Sequence, residues 1–345
     1  MLTRSVLAGS FALAAGMTAA HADTPSVVTT IKPIHSIAAA VMEGVGEPEI
    51  IIDGAASPHG FALKPSQAAL IQGADVVFWV GPSLSSSLAK PIEAMAADAV
   101  EVELLDAKGI DLLPYREGAN FDAHDHDHGD HEEHADHDDH DHDKHEEHAD
   151  HDDQDHEKRE EPDDNDAHDQ DNQEEAHIWL NPDNGIAIAA AMAETLSEVD
   201  PANAAPYKQN AAAFAERLEA LAGDLAKTLE PAKGKNFVVF HDAYHYFEHH
   251  FDFEASGAIT LTPETVASAN RVAAIKDQMS DLKVTCVFQE PQFEAKLVDV
   301  VLEGTDARKG TLDPLGTGLE NGPDLYPNLL TSMSQSLADC LSGQS

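Results

Sequence analysis

Short apolar runs recur along both halves of the chain, with amphipathic stretches between them. In the first part, residues 27–31 (VVTTI), 49–53 (EIIID), 75–81 (DVVFWVG) and 100–105 (VEVELL) combine β-branched residues with flanking turn formers. Runs of this length and composition predict buried strands. Helix signals lie between them, such as the stretch that opens at Pro65 and stops at Gly73, with proline in the first turn and glycine after the last. Strands alternating with helices predict a parallel α/β lobe.

Further on, Asn181 and Pro182 form the cap and first position of a helix running towards Val199. A long amphipathic run then covers residues 202–229. Its stripe of Tyr207, Ala211, Phe214, Leu218, Leu221, Leu225 and Leu229 steps by three and four residues. About 28 helical residues span roughly 40 Å, longer than one small domain needs. The run ends at Glu230-Pro231, and Lys233-Gly234-Lys235 marks a boundary. A second α/β pattern follows. Its strands are expected at 236–241 (NFVVFH), 251–259 (FDFEASGAI), 284–290 (VTCVFQE) and around Thr311 and Leu312, with one helix opened by Thr262-Pro263. The predicted architecture is α/β: two Rossmann-like lobes, 23–200 and 232–345, joined by one long helix within 201–231, with a cleft between the lobes.

The first lobe is interrupted at 121–176 by a tract made almost entirely of histidine and acid. It holds thirteen of the chain's 21 His and 27 of its 64 acidic residues, against three basic ones. With so little apolar surface it cannot offset the entropy of ordering, so it is expected to be a disordered insertion. Its ligand-bearing positions are His124, His126, His128, His131, His134, His137, His140, His142, His145, His148, His151 and His156. Imidazole at every second or third position is a compositional signature of transition-metal binding. The competing reading is a solvated acidic linker with incidental histidines.

Charge and termini narrow the function further. The tract supplies −24 of the formal −44, and the remaining −20 still argues against nucleic acid or an anionic membrane surface as partner. Residues 1–22 read as a signal peptide: Arg4, an apolar stretch over 6–15, and Ala20-His21-Ala22 as a small-x-small cleavage site before Asp23. No cysteine stands directly after that site, so nothing suggests a lipoprotein. The expectation is a protein exported to the periplasm. Two cysteines, Cys286 and Cys340, are compatible with one disulfide across 54 residues or with two buried thiols.

Three histidines stand outside the tract at positions where an α/β sheet presents ligands. His59 follows Ser57-Pro58 in the loop after EIIID, His177 precedes Ile178-Trp179-Leu180-Asn181-Pro182, and His241 ends NFVVFH. Open α/β sheets bind ligands beyond the carboxyl ends of their strands, so one cleft can collect all three. Asp313, in Gly310-Thr311-Leu312-Asp313-Pro314, can add an oxygen. Three imidazoles plus one oxygen or water make a tetrahedral zinc site. Taken singly, each histidine also reads as a surface residue and Asp313 as a turn former.

Several strings add a family resemblance: DGAASPHGFALKPS (53–66), HIWLNP (177–182), HDAYHYF (241–247), CVFQEPQF (286–293) and GTLDPLG (310–316). Together they resemble the ZnuA family, the periplasmic zinc-binding proteins of ABC-type high-affinity zinc importers. The resemblance runs from about Ser26 to the C-terminus. It implies a two-lobe fold, a His-rich acidic insertion at this point, a Cys286–Cys340 disulfide, and His59, His177 and His241 as Zn(II) ligands. Pro58 stands where some members carry Glu, which leaves water or Asp313 for the fourth position. The resemblance also implies a monomeric, non-enzymatic binding protein. Its partners would be a membrane permease with a cytoplasmic ATPase and a periplasmic zinc chaperone. The long helix is expected to limit hinge opening.

Three rivals remain at this stage. His245-Tyr246-Phe247-Glu248-His249 fits H-x-x-E-H, in which two helical histidines hold zinc and the glutamate acts as base. A metal-bridged adhesin would share the fold. A pure metal buffer would need only the tract.

Overall fold

The computed structural model describes residues 24–116, 174–260, 263 and 267–343. The signal segment 1–22, the tract histidines from His124 to His156, and Thr262 lie outside the described residues.

Two four-stranded parallel sheets carry the molecule. The first uses β1 (Val27–Ile31), β2 (Glu49–Ile52), β3 (Val76–Trp79) and β4 (Val100–Glu103) in the order β2-β1-β3-β4. The second uses β5 (Phe237–His241), β6 (Gly257–Thr260), β7 (Cys286–Gln289) and β8 (Arg308–Thr311) in the order β6-β5-β7-β8. The two sheets therefore have the same topology. The interior strands β1 and β5 are buried along their whole length, as strands covered by helices on both faces must be. β4 departs from its sequence reading: it is an edge strand with Val100 44% exposed, and a short 3-10 turn over Leu104–Asp106 replaces its predicted end.

Helices α1 (Lys32–Val41), α2 (Pro65–Gln72) and α3 (Pro82–Met95) accompany the first sheet. α4 (Pro182–Val199) opens as the sequence predicts, with the Asn181 side chain accepting from the Asp183 N–H at 2.8 Å. α5 (Ala204–Leu229) is the long helix, and six of the seven stripe residues are buried on it, with Leu221 packed at the core margin. It packs on α4 and α1 and on α9 (Leu325–Ser342), the last helix of the chain. α6 (His245–Phe251), α7 (Ala269–Leu282) and α8 (Lys296–Leu302) complete the second lobe. One continuous apolar core runs through both sheets, and a smaller one lies under α7 and α8.

Two predicted boundaries change in the second lobe. Residues 251–259 do not form one strand. Phe251 closes α6, packs on Phe247 one turn back with ring centroids 4.7 Å apart, and is followed by Asp252 in the left-handed region. Helical spacing of aromatic residues outweighs their strand propensity there. The following helix opens at Ser268, whose hydroxyl accepts from Arg271 N–H, while Pro263 sits in a turn.

Polar ties hold the lobes together. The buried Lys32 ammonium donates to the Leu319 and Thr317 carbonyls at 2.7 and 3.3 Å. Trp179 donates to the Pro314 carbonyl at 2.8 Å, and Tyr326 donates to the Trp179 carbonyl at 2.6 Å. Cys286, at the start of β7, is disulfide-bonded to Cys340 in α9.

Candidate metal centre

His59, His177 and His241 come together at the carboxyl ends of the two sheets. Each offers a ring nitrogen, and these nitrogens lie within 4.8 Å of one another. Ring centroids are 5.2, 5.3 and 5.6 Å apart for the His59–His177, His177–His241 and His59–His241 pairs.

Each ring is placed by a different local device. His241 is the last residue of β5, so strand geometry fixes it. His177 stands at the cap of a 3-10 turn over Ile178–Leu180 that leads into α4. Just before it, the Glu175 N–H donates to the Leu113 carbonyl at 2.8 Å, and Glu174 forms a bridge with Pro114. His59 rides on the loop after β2. That loop is tied by Ser85 Oγ to the Pro58 carbonyl at 2.9 Å and by Ser87 Oγ to the Phe61 carbonyl at 2.7 Å. Ser85 lies at the kink of α3, which turns its hydroxyl towards the loop.

Two buried carboxylates orient two of the rings. Glu290 Oε1 pairs with His241 Nδ1 at 2.7 Å, and Glu175 Oε1 pairs with His177 Nδ1. A carboxylate on Nδ1 fixes the tautomer with its proton there and points Nε2 outward as a ligand. The two Nε2 atoms then face each other at 3.4 Å. Ser57, Pro58, Trp179, Phe293, Pro314 and Leu315 line the pocket around them.

The protonation pattern follows from this packing. Burial lowers His59 to about 2, helped by the neighbouring His177 and His241. Burial lowers His177 to about 3, again with help from His241. His241 is raised: burial acts against its charge, but Glu290, Asp242 and Glu175 together outweigh it. Burial thus favours the neutral form of His59 and His177, whereas the surrounding carboxylates favour the charged form of His241.

Asp313 does not join the group. Its Oδ1 accepts from Gln292 Nε2 at 2.7 Å and from the Leu315 N–H at 3.2 Å, and its Oδ2 accepts from the Thr317 N–H at 2.6 Å. The Asp-Pro turn takes up the carboxylate, and the three-histidine group forms without it. The H-x-x-E-H reading also fails on geometry. Glu248 is buried and paired with Arg116 at 2.7 Å, His249 is exposed, and among the described residues no metal-ligand group includes His245, Glu248 or His249.

Sequence reasoning passed over Glu175 and Glu290. Glu175 is hidden in the acid-rich end of the tract. Glu290 becomes visible only once β5 and β7 are paired: the register Phe237 with Cys286 carries on to His241 beside Glu290.

A family model described as zinc-uptake complex component A, periplasmic, matches residues 27–340. The chain belongs to the ZnuA family. Within that family, the High-affinity zinc uptake system protein ZnuA of Brucella suis biovar 1 (strain 1330) is 53% identical over 316 residues, covering 92% of this chain and 91% of that protein. Among solved structures, a crystal structure of ZnuA matches with a TM-score of 0.70 at 21% identity, covering 93% of this chain and 100% of that one. The periplasmic zinc binding protein TroA from Treponema pallidum matches with a TM-score of 0.69 at 16% identity, covering 92% of this chain and 99% of that one. These two structural likenesses bear on the fold, which is the two-lobed α/β fold expected from the sequence. Among the described residues, no helix is long and apolar enough to cross a membrane.

Proposed function

We propose that this protein captures Zn(II) in the periplasm with His59, His177 and His241 and delivers it to an ABC-type membrane permease driven by a cytoplasmic ATPase. The observation that carries this reading is the 3.4 Å between the Nε2 atoms of His177 and His241. Zinc–nitrogen bonds of about 2.0–2.1 Å in a tetrahedron give an N···N edge of about 3.3–3.4 Å. With both rings neutral and their Nδ1 protons on the glutamates, the two Nε2 lone pairs repel at that distance unless a cation lies between them. Family membership and the zinc-uptake name of the Brucella relative support the same reading.

The rest of the centre suits a cation as cargo. Three neutral imidazoles favour a borderline-soft ion over one that prefers oxygen. Glu175 on His177 Nδ1 and Glu290 on His241 Nδ1 place buried carboxyl groups behind two of the ligands, where a dication would favour their charged form. With Asp313 held in its own turn, the fourth position falls to water. His59 and His177 belong to one lobe and His241 to the other, so zinc cross-links the lobes, and the ties through Lys32, Trp179 and Tyr326 limit how far they separate. We assign the lobes to 23–200 and 232–345, the linking helix to 201–231, and the tract to accessory zinc collection.

The test is calorimetric zinc titration of the full chain and of His59→Ala/His241→Ala. The parent is expected to show one tight event followed by weaker uptake, and the variant only the weaker uptake. An intact tight event in the variant contradicts the assignment.

A further inference from the structure

A second polar cluster lies beside the histidines, and the zinc site does not account for it. Arg116 is the last described residue before the tract, yet its side chain is only 6% exposed. Its Nε donates to both Asp242 oxygens at 3.1 Å, a second guanidinium nitrogen also donates to Asp242, and Nη1 donates to Glu248 at 2.7 Å. Those two carboxylates are buried, with side chains 4% and 2% exposed. A guanidinium this buried, held on two buried carboxylates with the exposed Glu254 3.8 Å from Nη1, is costly to assemble and fixes geometry when it is complete.

The position of this cluster gives it a role. Asp242 directly follows His241, and Glu248 lies within α6. Arg116 belongs to the other side of the cleft, on the strand-like segment that bridges Pro114 to Glu174. That segment is docked on α6 a second time, because Tyr246 Oη accepts from the Leu113 N–H at 3.0 Å and donates to the Glu175 carbonyl at 2.9 Å. Glu175 in turn holds His177. One polar path therefore runs from His177 through Glu175 and Tyr246 to the segment, and back through Arg116 and Asp242 to His241. It joins ligands of the two lobes without passing through the ion.

We propose that Arg116 is a positioning residue for zinc binding. By clamping Asp242 and Glu248 it keeps His241 presented to His177 before the ion arrives, so that little ordering remains for the ion to impose. This rests on the zinc-capture reading above.

The test is zinc release from the full chain, followed by stopped-flow chase with a chelator. Cobalt(II) absorption reports ligand geometry and apo thermal unfolding reports stability. The parent chain comes first: if it lacks a tight first event, the zinc-capture reading fails, independently of this proposal. In Arg116→Gln the first zinc is expected to leave about 10–100-fold faster, the range for loss of an outer-shell partner, with association unchanged and the cobalt band altered. Arg116→Gln/Glu248→Gln removes one charge of each sign, and it carries the test if the single variant does not fold. It is expected to regain apo stability while still releasing zinc fast. Parent-like release and a parent-like cobalt spectrum in either folded variant overturn the proposal, as does recovery of the parent's release rate together with stability in the double variant.

Discussion

His177 and His241 face each other through Nε2 atoms 3.4 Å apart, each with its Nδ1 on a buried glutamate. The pair comes from different lobes, so strand β5 and the 3-10 turn that His177 caps must be held in register for the contact to exist. The carboxylates settle which nitrogen is free, and Trp179 and Phe293 form an apolar wall beside the contact.

This contact sets the pH dependence of the tight site. Metal competes with protons for imidazole nitrogen. His59, lowered to about 2, and His177, lowered to about 3, are already neutral throughout the physiological range. His241 is raised above its ordinary value, so below its folded pKa it carries the single proton that zinc must expel. Affinity is expected to fall about tenfold per pH unit there, with about one proton released per zinc. Calorimetry of the first equivalent in buffers of different ionisation enthalpy measures that number at pH 6. Release of two or three protons contradicts the assignment.

Glu290 and Glu175 are predicted to matter for affinity without touching the ion. Glu290→Gln keeps an acceptor for His241 Nδ1 and removes the charge that raises ligand basicity. Zinc affinity in a chelator competition is expected to drop about 10-fold or more, with stoichiometry unchanged. An affinity within twofold of the parent contradicts the role given to Glu290.

The disulfide is expected to act on stability and not on the site. Cys286 begins β7, whereas Glu290 lies beyond the strand's other end, so the bond to Cys340 is remote from the histidines. Closing a loop with a sequence separation of 54 is worth about 4 kcal/mol on the chain-entropy account. Cys286→Ser/Cys340→Ser is expected to lower the unfolding midpoint by several degrees and leave the tight zinc event in place. Loss of that event at a temperature where the variant is folded contradicts this separation.

The tract is predicted to be dispensable for tight binding if its roots are kept. Glu174 and Glu175 bridge to Pro114 and orient His177, so a deletion must stop before them. Removing 122–173 is expected to reduce zinc stoichiometry to about one while preserving the tight affinity. A shortened chain that still holds several zinc ions, or loses the tight one, contradicts the division of roles.

Much of this was legible in the chain itself. Buried interior strands such as VVTTI and FVVFH, the stripe on α5, and the Asn181-Pro182 cap each carry a signal within a few residues, and the structure keeps them. The three histidines were readable because loops at strand ends collect ligands. What the chain did not show depended on tertiary context. FDFEASGAI (251–259) reads as one strand by propensity, yet Phe251 closes α6 because Phe247 and Phe251 pack on one face. Asp313 resembles a ligand by its string, and in the structure its carboxylate accepts from Gln292, Leu315 and Thr317. Glu290 needed the β5–β7 register, and Glu175 was masked by the acids around it. Arg116 meets Asp242 across 126 residues, which no local pattern reveals.

The most direct test of the account is anomalous diffraction at the zinc edge from crystals of the full chain loaded with one equivalent of zinc. One peak is expected, about 2.0–2.1 Å from the Nε2 atoms of His177 and His241 and from a ring nitrogen of His59. A principal peak elsewhere, or one bonded to Asp313 in place of a histidine, would contradict it.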